Sequence, residues 1–266
     1  MNDFEKNGYV IKNDFINSES CSEIQSLIKS SPPVVFEQFS STPLARGWGN
    51  LISNERITEL IKLKEINQLA NNLAGTNTIC NHLLINNKPR WVGRDVEFHQ
   101  EIFNRNTFAA GASLEKVKKE WIQVYIPLVD ENEMNGGLCV LENSHKYGEH
   151  NSEDIYDGNG RHKRRVKAEQ LDELIKKGCK LRCLNLKAGD LLCFSTFLVH
   201  SSANNLLGED RMSAVIQYRP DDFDPDKEVF EKEIRYRSQY IINHLTTCLD
   251  EEKKLDDKYK DVGIKK

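Results

Sequence analysis

The sequence predicts a mainly β protein with flanking helices, and three observations carry that expectation. After Gly75 the apolar runs become short, rich in Ile, Val, Leu and aromatics, and are separated by Gly, Asn and Asp. The clearest runs span 82–85, 96–103, 121–129, 138–142, 181–186, 190–199 and 212–219. Before Gly75 and after Pro225 apolar residues recur at helical spacing instead. Many short strands between turn signals favour a sandwich, jelly roll or barrel over a parallel α/β sheet. The 266 residues are expected to form a single domain over 1–266, with a helical part at 1–75, a β core at about 80–220 and closing helices at 225–255.

Gly8-Tyr9-Val10-Ile11 reads as a first strand. Ser20-Cys21-Ser22-Glu23 has the spacing of a capping box ahead of Ile24, Leu27 and Ile28, so a helix should start near Ser20. From Asn54, Ile57, Leu60, Ile61, Ile66, Leu69 and Leu73 predict one further helix that Gly75 stops. Two polar stretches, 104–120 and 145–169, interrupt the strands and read as long loops of the kind used as functional covers, the second with Gly158 and Gly160. Leu171, Leu174 and Ile175 predict a small helix ending at Gly178. Beyond Pro225, Val229, Phe230, Tyr240, Ile241, Leu245 and Leu249 predict one or two closing helices, and the charged end after Asp250 a solvated tail.

Composition narrows the function classes. With 38% hydrophobic and 29% charged residues and a net charge of -4, the chain has no electrostatic basis for binding nucleic acid or an anionic membrane, and neither partner is expected. Residues 1–6 lack the basic and apolar character of a leader, and no uncharged run approaches membrane-spanning length, so the cytoplasm is the expected location. The seven cysteines are scattered without closely spaced pairs for zinc and are expected as reduced, mostly buried thiols. Cys179 and Cys183 are read in the same way.

Phe98-His99-Gln100-Glu101 sets a histidine and a glutamate two apart on an expected strand, so both side chains leave one face and can share an ion. Alone, such a pair is common on solvated strands. Much later, Gly189-Asp190 turns into the apolar run Leu191 to Phe197, which ends in Leu198-Val199-His200. His99, Glu101 and His200 together are two imidazoles and one carboxylate. That is the facial triad suited to iron(II), with three positions left for a bidentate 2-oxo acid and dioxygen. Arg211 opens the strand run Met212 to Gln217 and, by alternation, shares a face with Ser213 and Gln217. A guanidinium turned into a barrel needs an anion, and the distal carboxylate of 2-oxoglutarate is a planar bidentate match that lysine would supply less well. Alternation also sets Trp121, Gln123 and Tyr125 opposite Ile122, Val124 and Ile126, which makes the first three candidate lining for a ligand cavity.

Read in order, several short pieces resemble the phytanoyl-CoA dioxygenase family of iron(II)- and 2-oxoglutarate-dependent oxygenases. They are His99-Gln100-Glu101, Trp121 opening a strand, Asn135-Gly136-Gly137-Leu138, Asn143-Ser144-His145-Lys146, Gly189-Asp190, His200 and Arg211. The resemblance covers roughly residues 1–220. It implies a double-stranded β-helix core of jelly-roll, cupin-like type, with His99, Glu101 and His200 on Fe(2+) and Arg211 on 2-oxoglutarate. It also sets Trp121, Ser202 and Gln100 against the co-substrate, and Asn86, in Asn86-Asn87-Lys88-Pro89, near its other end. The implied reaction hydroxylates a small-molecule substrate while 2-oxoglutarate and O2 become succinate and CO2. Three departures stand out: the family more often has Asp at position 101, has Pro-Gly in place of Glu142-Asn143, and ends differently after Pro220. Halogenating relatives lack the carboxylate, so Glu101 points to hydroxylation.

His145 lies in a family motif, where a turn-bracing role is expected. His82, His150, His162 and His244 have no assigned partner. His162-Lys163-Arg164-Arg165 reads as a solvated charge run rather than a phosphate site for a coenzyme A thioester, and Arg94 and Asp95 are candidate substrate contacts. Two other classes fit part of the pattern. A cupin-like metalloenzyme without 2-oxoglutarate needs only the triad, and a non-catalytic binding protein on the same fold needs neither triad nor Arg211. No motif selects a substrate or an oligomeric state.

Overall fold

The structure is a computed structural model that describes residues 3–33, 35–39, 42–156 and 162–261. Asp3–Asn7 (α1) leads into Tyr9–Lys12 (β1) and Ser18–Lys29 (α2), followed by Val35–Phe39 (β2) and Thr42–Trp48 (β3). Glu55–Leu60 (α3), Leu63–Ala74 (α4), Thr78–Lys88 (β4), Val96–His99 (β5), Arg105–Phe108 (α5) and Leu114–Glu120 (α6) come next. Ile122–Pro127 (β6), Leu138–Glu142 (β7), Ser152–Tyr156 (β8), His162–Val166 (β9), Ala168–Lys176 (α7) and Lys180–Cys183 (β10) form the middle. Leu191–Ser195 (β11), His200–Ser202 (β12), Arg211–Pro220 (β13) and Lys227–Asp261 (α8) complete the order.

All strand pairs are antiparallel. A seven-stranded sheet runs β1-β11-β6-β13-β4-β3-β2, and a four-stranded sheet runs β10-β7-β12-β5. Tyr9, Tyr125, Leu192 and Phe194 of the larger sheet pack with Leu138 and Val140 of the smaller, which closes the two into a jelly roll. The other face of the larger sheet carries Leu83, Ile85, Ile122, Val124, Ile126, Ala214 and Ile216 and is covered by α2, α3 and α4 through Ile24, Ile28, Ile57 and Ile66. Each such fully buried side chain contributes about 1.5–3 kcal/mol. This division positions the site: with the aliphatic face spent on the helices, the alternate residues of β4, β6 and β13 turn into the roll.

Several local expectations change. The cap of α2 is Asn17, whose Oδ1 accepts from the Ser20 amide, and Ser20 lies inside the first turn. The single helix expected from Asn54 is two, because Lys62 takes a left-handed conformation between α3 and α4. Gly75 does end α4, left-handed, with its amide on Asn71 O. The expected loop 104–120 contains α5 and α6, and 145–169 contains the β8–β9 hairpin, which joins β5 through Arg165 to Glu97 at 3.1 Å; Gly158 and Gly160 lie outside the described residues. The β2–β3 hairpin was not foreseen. One closing helix, α8, agrees with the expected one or two but runs on past Asp250 in place of a tail.

Cys139 and Cys183 are directly opposed across β7 and β10 and are joined as a disulfide, which corrects the expectation of seven reduced thiols. The thiols of Cys21, Cys179 and Cys193 are free and buried. Among the described residues no helix is long and apolar enough to cross a membrane.

Candidate active site

One antiparallel pairing brings the two histidines of the candidate metal site together. His99 and His200 are direct partners across β5 and β12, with ring centroids 4.2 Å apart. Each ring is oriented by its own strand: His99 Nδ1 donates to Glu97 O at 2.8 Å and His200 Nδ1 to Leu198 O at 3.0 Å. A carbonyl only accepts, so the proton sits on Nδ1 and Nε2 keeps its lone pair. Both Nε2 atoms face Glu101 Oε1, at 3.6 and 3.5 Å, and the three ligand atoms lie within 4.8 Å of one another. This donor set, two imidazole nitrogens and one carboxylate oxygen on one side of an open space, fits iron(II).

Glu101 reaches the site by a different route from the one the alternation implied. The strand ends at His99, and Glu101 opens a 3-10 turn, Glu101–Asn104, that swings its carboxylate back toward the histidines. Burial disfavours the ionised carboxyl, but the facing His200 and His99 rings outweigh it and hold Glu101 below the usual carboxylate range. Burial also lowers His200, which keeps its imidazole neutral, as a ligand must be.

A cavity of about 450 Å³ lies over the triad and runs along β4, β6 and β13. Strand register orders its wall in rows. Gln217 stands opposite His82 and Gln123, Val215 opposite Leu84 and Tyr125, Ser213 opposite Asn86, and Arg211 opposite Lys88. The wall thus passes from neutral polar groups through an aliphatic row to charge. Gln123 is buried and lines the cavity, and its Nε2 has no hydrogen-bond partner among the described residues. At the far end Arg211 donates to Tyr125 Oη at 2.7 Å and Ser213 Oγ at 3.2 Å through Nη1, and to Gly136 O at 2.8 Å through Nη2. Tyr125 in turn donates to Glu131, 2.6 and 2.8 Å from its two oxygens.

The structure therefore brings His99, Glu101, His200, Asn86, Ser202 and Arg211 to one cavity, with Ser213 bonded to Arg211. It does not bring Trp121 or Gln100. Trp121 is fully buried beside Val117, Leu141 and Val199 and meets Phe223 edge-on at 4.9 Å; the β6 aromatic that faces the cavity is Tyr125. Gln100 is a brace, donating to Phe197 O at 2.6 Å and Gly148 O at 2.9 Å and accepting from the His150 amide at 2.9 Å. The Gly189-Asp190 motif is a turn: an added Cβ on Gly189 would run into Ile16 O, and Asp190 accepts from the amides of Asp14 and Lys187. His145 braces as expected, donating to Glu5 O at 3.1 Å. Arg164 pairs with Asp154 and Arg165 with Glu153, the second pair exposed, so this charge run is solvated in part and ion-paired. Arg94, Asp95 and Lys163 line an adjoining space of about 400 Å³ that also reaches His99 and Glu101.

Sequence reasoning missed Lys88, Glu131 and His82. Lys88 and His82 share alternation with Asn86 and were within reach of the pattern. Glu131 lies in a loop with no periodic signal.

The fold is that of known iron- and 2-oxoglutarate-binding proteins. EctD from S. alaskensis with bound Fe superposes with a TM-score of 0.65 over 84% of this chain and 76% of that one, at 15% identity. SnoN, the epimerase from nogalamycin biosynthesis, in complex with Fe3+, alpha ketoglutarate and nogalamycin RO, gives 0.62 over 82% and 80%, at 17% identity. AviO1 from Streptomyces viridochromogenes Tue57 gives 0.60 over 84% and 94%, at 16% identity. Among curated proteins no significant match to the chain is found. The phytanoyl-CoA dioxygenase (PhyH) family model matches residues 4–213, and the chain belongs to that family. Its class is that of the iron- and 2-oxoglutarate-dependent oxygenases, with iron as cofactor and 2-oxoglutarate as co-substrate.

Proposed function

We propose that this chain is a hydroxylase of a small-molecule substrate, in which His99, Glu101 and His200 hold iron(II) and Arg211 holds the distal carboxylate of 2-oxoglutarate. The observation that carries the reading is the shared cavity, with His99 and His200 on the smaller sheet, Glu101 on the turn beside them, and a buried guanidinium at the end of the larger sheet. When bound, the iron supplies the redox chemistry that couples O2 to decarboxylation of 2-oxoglutarate, giving succinate, CO2 and one oxygen atom for the substrate.

The chain's own groups do the rest. Arg211, fixed by three hydrogen bonds, fixes the co-substrate by its far end, while the backbone bonds on both Nδ1 atoms hold the triad in one orientation. Asn86, Ser202 and Ser213 stand beside the co-substrate path. The row of Gln123, Gln217 and His82 presents amide and imidazole groups, and the unmatched Gln123 donor favours a substrate carrying an acceptor oxygen. Retention of Glu101 as third ligand favours oxygen insertion over halogenation. A compartment that keeps iron reduced suits this chemistry, and the cytoplasm is the proposed location.

The test is isotopic. Iron(II) protein with 2-oxoglutarate, a metabolite extract and 18O2 should yield one metabolite that gains a single labelled oxygen in step with succinate. Succinate formation matched to a metabolite that changes by loss of hydrogen, or without any change of mass, would replace hydroxylation by desaturation, ring closure or epimerisation.

A further inference from the structure

Glu101 is the one member of the triad that no strand holds. Its turn, Glu101–Asn104, is fixed on the inner side by Ile102 and Phe103, both buried, and by the Ile102 amide, which donates to Thr196 O at 3.0 Å. The outer side is held from elsewhere in the chain. Arg164 Nη1 of β9 donates to Phe103 O at 3.2 Å, and Arg237 Nη2 of α8 donates to Asn104 Oδ1 at 3.0 Å. A guanidinium only donates, so the Asn104 atom that faces it is the oxygen, and the amide has one orientation. Arg237 is itself anchored, its Nε donating to Oε1 of the buried Glu233 at 2.8 Å. The other Glu233 oxygen accepts from Asn106 Nδ2 of α5 at 3.2 Å.

Side chains three apart on a 3-10 turn eclipse one another, so Glu101 and Asn104 leave the same side of it, and both line the cavity. Holding Asn104 therefore sets the rotation of the turn about its buried pair, and with it the direction of the Glu101 carboxylate. On a strand the ladder would do this. A four-residue turn has no ladder, and glutamate has one more rotatable bond than aspartate. We infer that Arg237 is a positioning residue for the metal site, fixing through Asn104 the turn that brings the Glu101 carboxylate to His99 and His200. α8 lies beyond the residues that match the family, so two departures from the family, Glu101 and the chain after Pro220, meet in this one cluster. This role rests on Glu101 being a ligand to iron.

The test measures iron(II) affinity of the anaerobic protein by competition with a chelator, counted per folded molecule, together with the melting temperature of the iron-free form. Arg237→Met and Asn104→Ala should each weaken iron by about tenfold, the lower end for loss of a group behind a metal ligand. The double variant should be no weaker than the poorer single, since both remove one link. Asn106→Ala is the control, because it loosens Glu233 without touching the Asn104 amide. It should leave iron affinity unchanged even where it lowers the melting temperature. Wild-type iron affinity in folded Arg237→Met, additive losses in the double variant, or an equal loss in Asn106→Ala overturns the inference. Should Arg237→Met fail to fold, Asn104→Ala decides, because it cuts the link while Arg237 and Glu233 stay paired, and unchanged iron affinity there overturns it too. Glu101→Ala separates the two levels: wild-type iron affinity in that variant defeats the reading of Glu101 as a ligand, whereas a large loss there with none in Arg237→Met and Asn104→Ala defeats only the role of Arg237.

Discussion

The two ends of the cavity are built on opposite plans. The candidate metal end sits on two of the shortest strands, β5 and β12, and on the turn after β5, and His99, Glu101 and His200 owe their protein contacts to backbone carbonyls behind the rings and to one another in front. The co-substrate end sits on the long strands β4 and β13, and Arg211, Tyr125, Glu131, Ser213 and Lys88 are tied into hydrogen bonds before any ligand arrives. One end offers two imidazole nitrogens and a carboxylate oxygen that a cation would join. The other is preorganised by these hydrogen bonds. Loss of a group should therefore be all-or-none at the first and graded at the second.

The largest effect is expected from breaking the metal end. His99→Ala or His200→Ala should abolish iron retention and turnover together, because a facial site with three protein ligands has none to spare. Metal analysis of the folded variants checks this, and full occupancy in either would remove that histidine from the site. Next comes Arg211→Ala, where removing one partner of a buried charge pair costs about 2–5 kcal/mol. That is roughly thirty-fold to several thousand-fold in 2-oxoglutarate affinity, with iron still bound. Tyr125→Phe removes only the hydroxyl between Arg211 and Glu131. A loss of about tenfold in 2-oxoglutarate affinity is expected, since a buried bond to a charged group contributes about 1.5–3 kcal/mol. An unchanged affinity would show that Arg211 is held well enough without it.

Smaller effects sharpen the contrast away from the ligands. Gln100→Leu strips three buried backbone groups of a partner and should lower the melting temperature while leaving 2-oxoglutarate affinity per folded molecule unchanged. A selective loss of affinity would restore the contact implied by family resemblance. The least effect is expected from protonation of Glu233 in α8. Burial would raise Glu233, but bonds from Arg237 and Asn106 and the nearby Arg164 hold it below the ordinary carboxylate value. Its folded pKa is thus depressed, so its contribution is present above the unfolded value near about 4.3 and is lost as pH falls through the folded one. Hydrogen exchange should show α5 and the first turns of α8 loosening together in acid, and Glu233→Gln should remove that dependence.

The same contrast explains what the sequence disclosed. Metal ligands have few chemical substitutes, so His99, Glu101 and His200 stand out as candidate ligands by residue type even though Glu101 arrives on a turn rather than on the strand. Arg211 was legible for a similar reason, and alternation placed Ser213, Gln217 and Gln123 with it. Neutral contacts were harder. Trp121 and Tyr125 share a face by alternation, yet Trp121 caps the end of α6, where the chain has not settled into the strand, and only Tyr125 reaches the cavity. Gln100, between two ligands, turns the other way because the chain leaves the strand at His99. Alternation puts Lys88 on the face of Asn86, but its pairing opposite Arg211 depends on register, and Glu131 comes from a loop whose path no local pattern encodes. In the same way the short helices in 104–120 and the β8–β9 hairpin are held by ion pairs such as Arg165 with Glu97, which polar composition alone reads as loop.

The claim that one small molecule spans both ends is tested most directly by titrating the anaerobic iron(II) protein with 2-oxoglutarate and following the weak visible charge-transfer band of a chelated 2-oxo acid. Wild type should develop the band at low 2-oxoglutarate, Arg211→Ala the same band at much higher concentration, and His200→Ala none. Superimposable titrations of wild type and Arg211→Ala, or no band from iron-loaded wild type, would contradict it.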